Sequence, residues 1–183
     1  THLGMHSLKG VCDDQPFFKW LNKIIELEKK MSQKEILANT RAGAIECIRM
    51  GTTTVYDSYM YAPERIDIFV KLGMRAFVSS TVRKEEHLKF IERQLEYCKK
   101  TKGLVTPIIA GHSVYMCPKD VLIKIKDISE EHNMIRRIHI AETEKEVKDL
   151  YKKEGKTAIE FLDKIGFLSE KALLVHANWI TDK

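Results

Sequence analysis

The sequence alternates between short β-rich stretches and amphipathic stretches with helical spacing, and this alternation restricts the fold more than any other feature. β-Branched and apolar residues predict strands at residues 52–57, 74–80, 104–110, 135–141 and 172–177. Apolar residues that recur every three or four positions predict helices between them, at residues 32–50, 63–73, 88–98, 118–128, 143–155 and 157–166.

Strands that alternate with helices indicate a parallel sheet whose strands are joined by right-handed crossovers. A doubly wound sheet and a (β/α)8 barrel both fit this pattern. The first strand is not followed by a glycine-rich phosphate loop, which argues against a nucleotide-binding doubly wound fold. The other α/β option is a partial (β/α)8 TIM-type barrel, of which this chain would form about six of the eight units.

Composition excludes several classes of protein. The 183 residues suffice for one domain with a hydrophobic core, and no apolar run has the length of a membrane span. The net charge of +5 is a mild excess spread over helical faces with alternating lysines and glutamates, so we expect no nucleic-acid partner. Four widely spaced cysteines without Cys-x-x-Cys spacing, and no signal peptide pattern, favour the cytoplasm.

Histidines stand at the ends of the predicted strands. His2 follows the presumed end of a first strand, and His112, His139 and His176 end three consecutive strands, with Glu142 just after the second. In a barrel, all these strand ends meet at the face where active sites lie. Neutral imidazole binds zinc or iron, and a nearby carboxylate can move protons. The pattern predicts a metal site, although each histidine alone is more typical of a hydrogen-bonded structural residue.

Two other polar residues have open or structural interpretations. Asp57 ends the predicted strand 52–57, where it could orient a ligand histidine or cap a turn; the sequence does not decide between these roles. Cys117 directly precedes Pro118 at a predicted helix start, which favours packing at the helix entry over a role as nucleophile.

Six segments, in order along the whole chain, resemble motifs of the amidohydrolase superfamily, in its branch of chlorohydrolases and S-adenosylhomocysteine/methylthioadenosine deaminases. The segments are Thr1-His2-Leu3-Gly4-Met5, Trp20-Leu21 with Glu28, Gly51-Thr52-Thr53-Thr54 with Asp57, Gly111-His112-Ser113-Val114-Tyr115 with Cys117, His139-Ile140-Ala141-Glu142-Thr143, and His176-Ala177-Asn178 with Thr181.

The resemblance implies a role for each site residue. The implied metal ligands are His2 and His139, the catalytic residues Glu142 and His176, and the substrate-binding residues Glu28, Arg83, His112 and Glu142. An arginine that precedes Arg83 in some members of the family is Ser80 here, which makes the exact substrate harder to infer.

The same resemblance implies a hydrolase that acts on C–N bonds in cyclic amidines. A metal-bound hydroxide, on zinc or alternatively iron, would attack the amino-bearing carbon of a purine- or pyrimidine-like heterocycle. Glu142 would protonate the ring nitrogen and then the leaving amine, while His176 would hold the hydroxide. Two alternatives stay open: hydrolytic dechlorination of triazine-type rings, and a catalytically incompetent fragment. The implied partner is a small heterocyclic substrate, and a homo-oligomer is left open.

The chain opens inside a motif, since the first histidine of the family's Asn-x-His-x-His would precede Thr1. The family's aspartate ligand would lie beyond Lys183. We therefore predict that residues 1–183 form a single catalytic-barrel fragment of a metal-dependent hydrolase, truncated at both ends and lacking the β-sandwich domain.

Overall fold

The computed structural model describes residues 1–181 as helices that alternate with strands. In chain order the elements are α1 (Phe17–Glu28), α2 (Gln33–Arg49), β1 (Thr54–Ser58), α3 (Ala62–Leu72), β2 (Arg75–Ser79), β3 (Thr81–Val82), α4 (Ile91–Lys99), β4 (Val105–Pro107), β5 (Ile109–Ser113), α5 (Lys119–Glu131), β6 (Arg136–Ile140), α6 (Glu144–Glu154), α7 (Ala158–Lys164) and β7 (Ala172–His176). Short 3-10 helices occupy Leu3–Leu8 and Glu85–Phe90.

The chain divides into two compact units. The first contains Thr1–Ser79 and Glu92–Thr106, and its sheet has the strand order β1-β2-β4. β1 and β2 pair in parallel, and α2 and α3 pack against each other. The core of this unit is a cluster of buried residues that includes Leu3, Ala44, Val55, Ile66, Phe69, Ala76 and Val78.

The second unit contains Ser80–Ile91 and the chain from Pro107 onward, and its sheet has the order β3-β5-β6-β7. All three strand pairs of this sheet are parallel. Every residue of β5 and β6 is buried, as expected for parallel strands covered on both faces. The register shifts between β5 and β6, so that Ser113 lies opposite His139, while Ile140 lies opposite His176.

Local sequence signals set several helix boundaries as predicted. Ser32 and Thr157 each form a capping box with the glutamate three residues later, at the starts of α2 and α7. Gly73 and Gly155 end α3 and α6 in the left-handed conformation, with φ of 64° at both. These positions need a residue without a Cβ atom to avoid strain.

One predicted strand is divided in the structure. Residues 104–110 contain the end of one strand and the start of another, because β4 ends at Pro107 and belongs to the first sheet, while β5 begins at Ile109 in the second. Proline has no N–H group to continue a ladder, so the strand is interrupted there. His112 therefore lies within β5 rather than just beyond a strand.

Within the part of the chain that the structure describes, none of the helices combines the length and the hydrophobicity that a bilayer crossing requires.

Candidate active site

Three histidine rings form a row at the carboxyl ends of adjacent strands in the second unit. The ring centroids of His112 and His139 are 5.3 Å apart, and those of His139 and His176 are also 5.3 Å apart. His112 and His139 are buried, whereas a third of the His176 side chain is exposed. The parallel order β5-β6-β7 places these rings side by side, although the sequence separates them widely.

The contacts of His139 define its tautomer. Its Nδ1 lies 2.5 Å from the carbonyl oxygen of His112, which can only accept, so Nδ1 carries the proton. Its Nε2 lies 2.8 Å from Nη2 of Arg137, which can only donate. Burial and the nearby Arg137 charge lower the pKa of His139 to about 3. His139 is therefore neutral and has its lone pair on Nε2, as a metal ligand requires.

Arg137 is a site residue that the sequence analysis missed. It precedes His139 by two positions on β6, so both side chains point to the same face of the strand. Its residue exposure is 3%, and among residues 1–181 its Nη1 has no hydrogen-bond partner. Burial lowers the pKa of Arg137 to about 10, so it remains charged at neutral pH. The available signal was an arginine two positions before a predicted metal ligand, on the same face of the strand.

Glu142 follows β6 and contacts the third histidine of the row. Its Oε1 lies 3.2 Å from Nε2 of His176. Burial, with a further contribution from Glu146, raises the pKa of Glu142 to about 7. The Glu146 carboxylate accepts hydrogen bonds from the backbone N–H groups of Ala141 and Glu142, at 3.0 and 2.9 Å, and so fixes this turn. A carboxyl group with a pKa near neutrality can both donate and accept a proton.

The backbone that carries His176 has an uncommon conformation. His176 and Ala177 have φ values of 76° and 54°, in the left-handed region that costs free energy for residues with a Cβ atom. The Ala177 N–H donates to the Ile140 carbonyl at 3.0 Å, which fixes the chain beside the end of β6. Burial and the charge of Arg137 lower the pKa of His176, so this ring is neutral at neutral pH.

His112 and Arg83 complete the group in the second unit. The His112 ring contacts Tyr115 edge-on, with centroids 6.2 Å apart, and its Nδ1 lies 3.1 Å from the Ser113 hydroxyl oxygen. Burial, followed by the charge of Arg83, lowers the pKa of His112 to about 3. Arg83 directly follows β3, and its Nε is buried without a hydrogen-bond partner within residues 1–181. Arg83 can therefore donate a hydrogen bond to a ligand, and the neutral His112 ring can donate or accept one.

His2 and Glu28 lie in the first unit. Nδ1 of His2 is 2.5 Å from the Ser58 carbonyl oxygen, which can only accept, so this nitrogen also carries a proton. The Tyr59 hydroxyl donates to Oε1 of Glu28 at 2.5 Å, and the Tyr59 and His2 ring centroids are 6.2 Å apart. Glu28 is 9% exposed. The sequence analysis did not identify Tyr59, whose role depends on tertiary contacts.

His2 and His139 have the donor chemistry that a divalent metal needs. Each donates its Nδ1–H to a backbone carbonyl, an arrangement that orients metal-ligating histidines. Over residues 1–181, no group of three or more histidine, cysteine, aspartate or glutamate side chains is arranged to hold a metal ion. Because zinc sites use at least three protein ligands, these histidines fit as part of a ligand set.

Comparisons with known proteins show what the chain is similar to. The profile of the Amidohydrolase family matches residues 1–183. The chain is 31% identical over 191 residues to the 5'-deoxyadenosine deaminase of Methanopyrus kandleri, and 30% identical over 190 residues to the 5-methylthioadenosine/S-adenosylhomocysteine deaminase 2 of Archaeoglobus fulgidus. Both alignments cover 100% of this chain but only 44% and 46% of those proteins, so the chain spans less than half of their length.

A solved structure gives the same result for the fold. The crystal structure of an adenosine deaminase from Xanthomonas campestris with bound zinc matches 99% of this chain and 44% of its own, with a TM-score of 0.89 and 25% sequence identity. The predicted α/β fold with parallel strands, part of an amidohydrolase TIM-type barrel, is confirmed, as is the predicted family resemblance. The chain belongs to the amidohydrolase family.

Proposed function

We propose that the whole protein is a metal-dependent aminohydrolase that removes an amino group from a purine-like ring. One observation carries this proposal: a carboxyl group with a pKa near 7, that of Glu142, contacts one neutral histidine and lies beside another whose Nε2 lone pair can bind a metal. Deamination needs these groups, since water must be deprotonated and the leaving amine must be protonated.

The residues of this chain would divide the chemistry between them. His2 and His139 would hold a divalent metal, which when bound lowers the pKa of a water ligand toward neutrality. His176 would accept a hydrogen bond from the attacking water and hold it against the ring. Glu142 would protonate the ring nitrogen and later the departing amine. The net reaction adds water to the ring carbon and releases ammonia, leaving a carbonyl.

Three further residues would hold the substrate. Arg83 and His112 have unshared donor or acceptor capacity and would contact the heterocycle, and Glu28 would accept a hydrogen bond from a donor on the substrate. We favour an adenosine-type substrate, because two relatives with at least 30% identity are named as deaminases of adenosine derivatives. We favour zinc over iron, because the similar adenosine deaminase structure contains zinc.

A substrate screen of the zinc-loaded whole protein tests the proposal. Adenosine, 5'-deoxyadenosine, methylthioadenosine, S-adenosylhomocysteine, guanine, cytosine and a chlorinated triazine would be compared by release of ammonia or chloride. We expect ammonia from at least one adenine compound, and loss of that activity in Glu142→Gln but not in Glu160→Gln, which changes an exposed carboxylate at the start of α7. Chloride release without ammonia would instead support the dechlorinating alternative. The absence of both products would contradict the proposal.

A further inference from the structure

An ion pair is completely buried in the first unit, and neither of its residues is assigned to the chemistry of the proposed reaction. Nη1 of Arg65, on α3, contacts Oδ2 of Asp57, on β1, and both side chains have 0% exposure. Removing two charges from water costs free energy that their attraction offsets only with good geometry and further hydrogen bonds. An apolar pair of similar size would often be as stable, so a fully buried pair calls for a reason other than stability.

The remaining donors of Arg65 fix the backbone around the end of β1. Its Nη2 donates to the carbonyl oxygens of Tyr59 at 3.0 Å and Ser79 at 2.7 Å, and its Nε donates to that of Met60 at 2.9 Å. The planar guanidinium therefore connects Asp57, the turn after β1 and the end of β2 in one rigid arrangement. A lysine could not make these directional contacts at once.

The second oxygen of Asp57 fixes the segment that contains His2. Oδ1 accepts a hydrogen bond from the Leu3 backbone N–H at 2.9 Å and another from the Thr1 hydroxyl at 3.1 Å. These two residues flank His2, whose ring contacts the Ser58 carbonyl next to Asp57. One carboxylate oxygen thus holds the residues on both sides of the histidine, Leu3 by its backbone and Thr1 by its side chain. Asp57 makes this contact with the backbone, whereas the sequence allowed either a histidine-orienting role or a turn cap.

We infer that Arg65 is a positioning residue that acts through Asp57 to hold the Thr1–Leu3 segment, and with it the direction of the His2 Nε2 lone pair. This inference rests on the proposed function, in which His2 is a metal ligand. The chain of contacts runs from the guanidinium to the carboxylate, from the carboxylate to the Leu3 N–H, and from there to the imidazole.

The test compares three variants of the whole protein. Arg65→Met alone would leave the Asp57 carboxylate buried without its cation, which can prevent folding. The main variant therefore combines Arg65→Met with Asp57→Asn, which removes both charges together. Asp57→Asn alone keeps the side-chain shape and leaves the Arg65 cation its three carbonyl acceptors, so it gives a second comparison where the double variant does not fold. Val78→Ala, at a buried apolar position of β2 in the same unit, is the control for general destabilisation.

Two measurements separate positioning from stability. Hydrogen exchange, followed by mass spectrometry, reports on the peptide that contains Leu3, and competition with a chelator reports zinc affinity. We expect the double variant to exchange at Leu3 about tenfold faster and to bind zinc about 10–100-fold more weakly, in the range found when a group that orients a metal ligand is removed. Val78→Ala should change neither quantity.

The possible results decide the inference in either direction. If Leu3 exchange and zinc affinity change no more in the charge-removing variants than in Val78→Ala, the inference about Arg65 is wrong. If the wild-type protein bound no zinc, the proposed function would fail, while the exchange at Leu3 would still show whether Arg65 and Asp57 hold the segment.

Discussion

At the scale of single residues, the chemistry of the site depends on burial. Burial lowers the pKa of His112 and His139 to about 3 and raises that of Glu142 to about 7. The two imidazoles are therefore neutral at neutral pH, while the carboxyl group is poised between its two forms. In the proposed function, the His139 ring would serve as a metal ligand, His112 would contact the substrate, and Glu142 would donate a proton to the leaving amine.

The raised pKa of Glu142 predicts how stability depends on pH. Because the folded pKa of about 7 exceeds the ordinary 4.5, the folded chain holds this proton longer than the unfolded chain. Stability contributed by the protonated form is therefore lost as the pH rises through 7. We expect Glu142→Gln to stabilise the metal-free protein by about 1–3 kcal/mol at about pH 8 and much less at about pH 5.

Urea unfolding at both pH values measures this effect. Glu160→Gln serves as the control, because hydrogen bonds from Thr157 hold the pKa of Glu160 below 4.5 and its effect should be the same at both pH values. An equal effect of Glu142→Gln at both pH values would contradict a raised pKa.

Arg137 and Arg83 both lower the pKa of His112, but only Arg137 acts on His139 and His176. The charge of Arg137 lowers the pKa of both His139 and His176, since a nearby positive charge disfavours protonation. We expect Arg137→Met to raise both pKa values in an NMR titration of the metal-free protein. The matched variant Arg83→Met should raise the pKa of His112 and leave that of His139 unchanged. Identical effects of the two variants on His139 would show that the assignment of charges is wrong.

At the scale of elements, the sequence predicts most helices and strands but not all boundaries. Capping boxes and terminal glycines locate α2, α3, α6 and α7 because they are local signals. The division between β4 and β5 was missed, because both strands are apolar and only Pro107 marks the break. α1 was also missed, although Leu21, Ile24 and Glu28 form one buried side of that helix. The residues just before this helix include charged side chains and Pro16, and none of them caps it with a side-chain hydrogen bond.

The capping box at the start of α2 should have a measurable effect on stability. The Ser32 side chain accepts from the Glu35 N–H, and the Glu35 carboxylate accepts from the Ser32 N–H at 2.7 Å. Ser32→Ala should lower the free energy of unfolding by about 1 kcal/mol, whereas Ser32→Asp, which retains an acceptor, should lower it much less. Equal losses in the two variants, measured by urea unfolding, would show that the cap does not hold the helix start.

At the scale of the whole molecule, topology assembles what the sequence separates. The strand-end histidines could be predicted because the carboxyl ends of parallel strands share one edge of a sheet. Arg137, Tyr59 and Arg65 could not, because their importance lies in which buried donors meet which acceptors, and only tertiary contacts decide that. The functional roles of the site residues stay a prediction. So does the assignment of residues 1–183 to a single catalytic-barrel fragment.

The separation of metal binding from proton transfer tests the central claim most directly. Zinc content and turnover of the best adenine substrate would be measured for Glu142→Gln and His139→Ala in the whole protein. We predict that Glu142→Gln keeps zinc but loses at least about 10⁴-fold in kcat, because one carboxyl group serves several proton transfers. His139→Ala should lose both zinc and activity. Near-normal kcat in Glu142→Gln, or full zinc content in His139→Ala, would contradict the account.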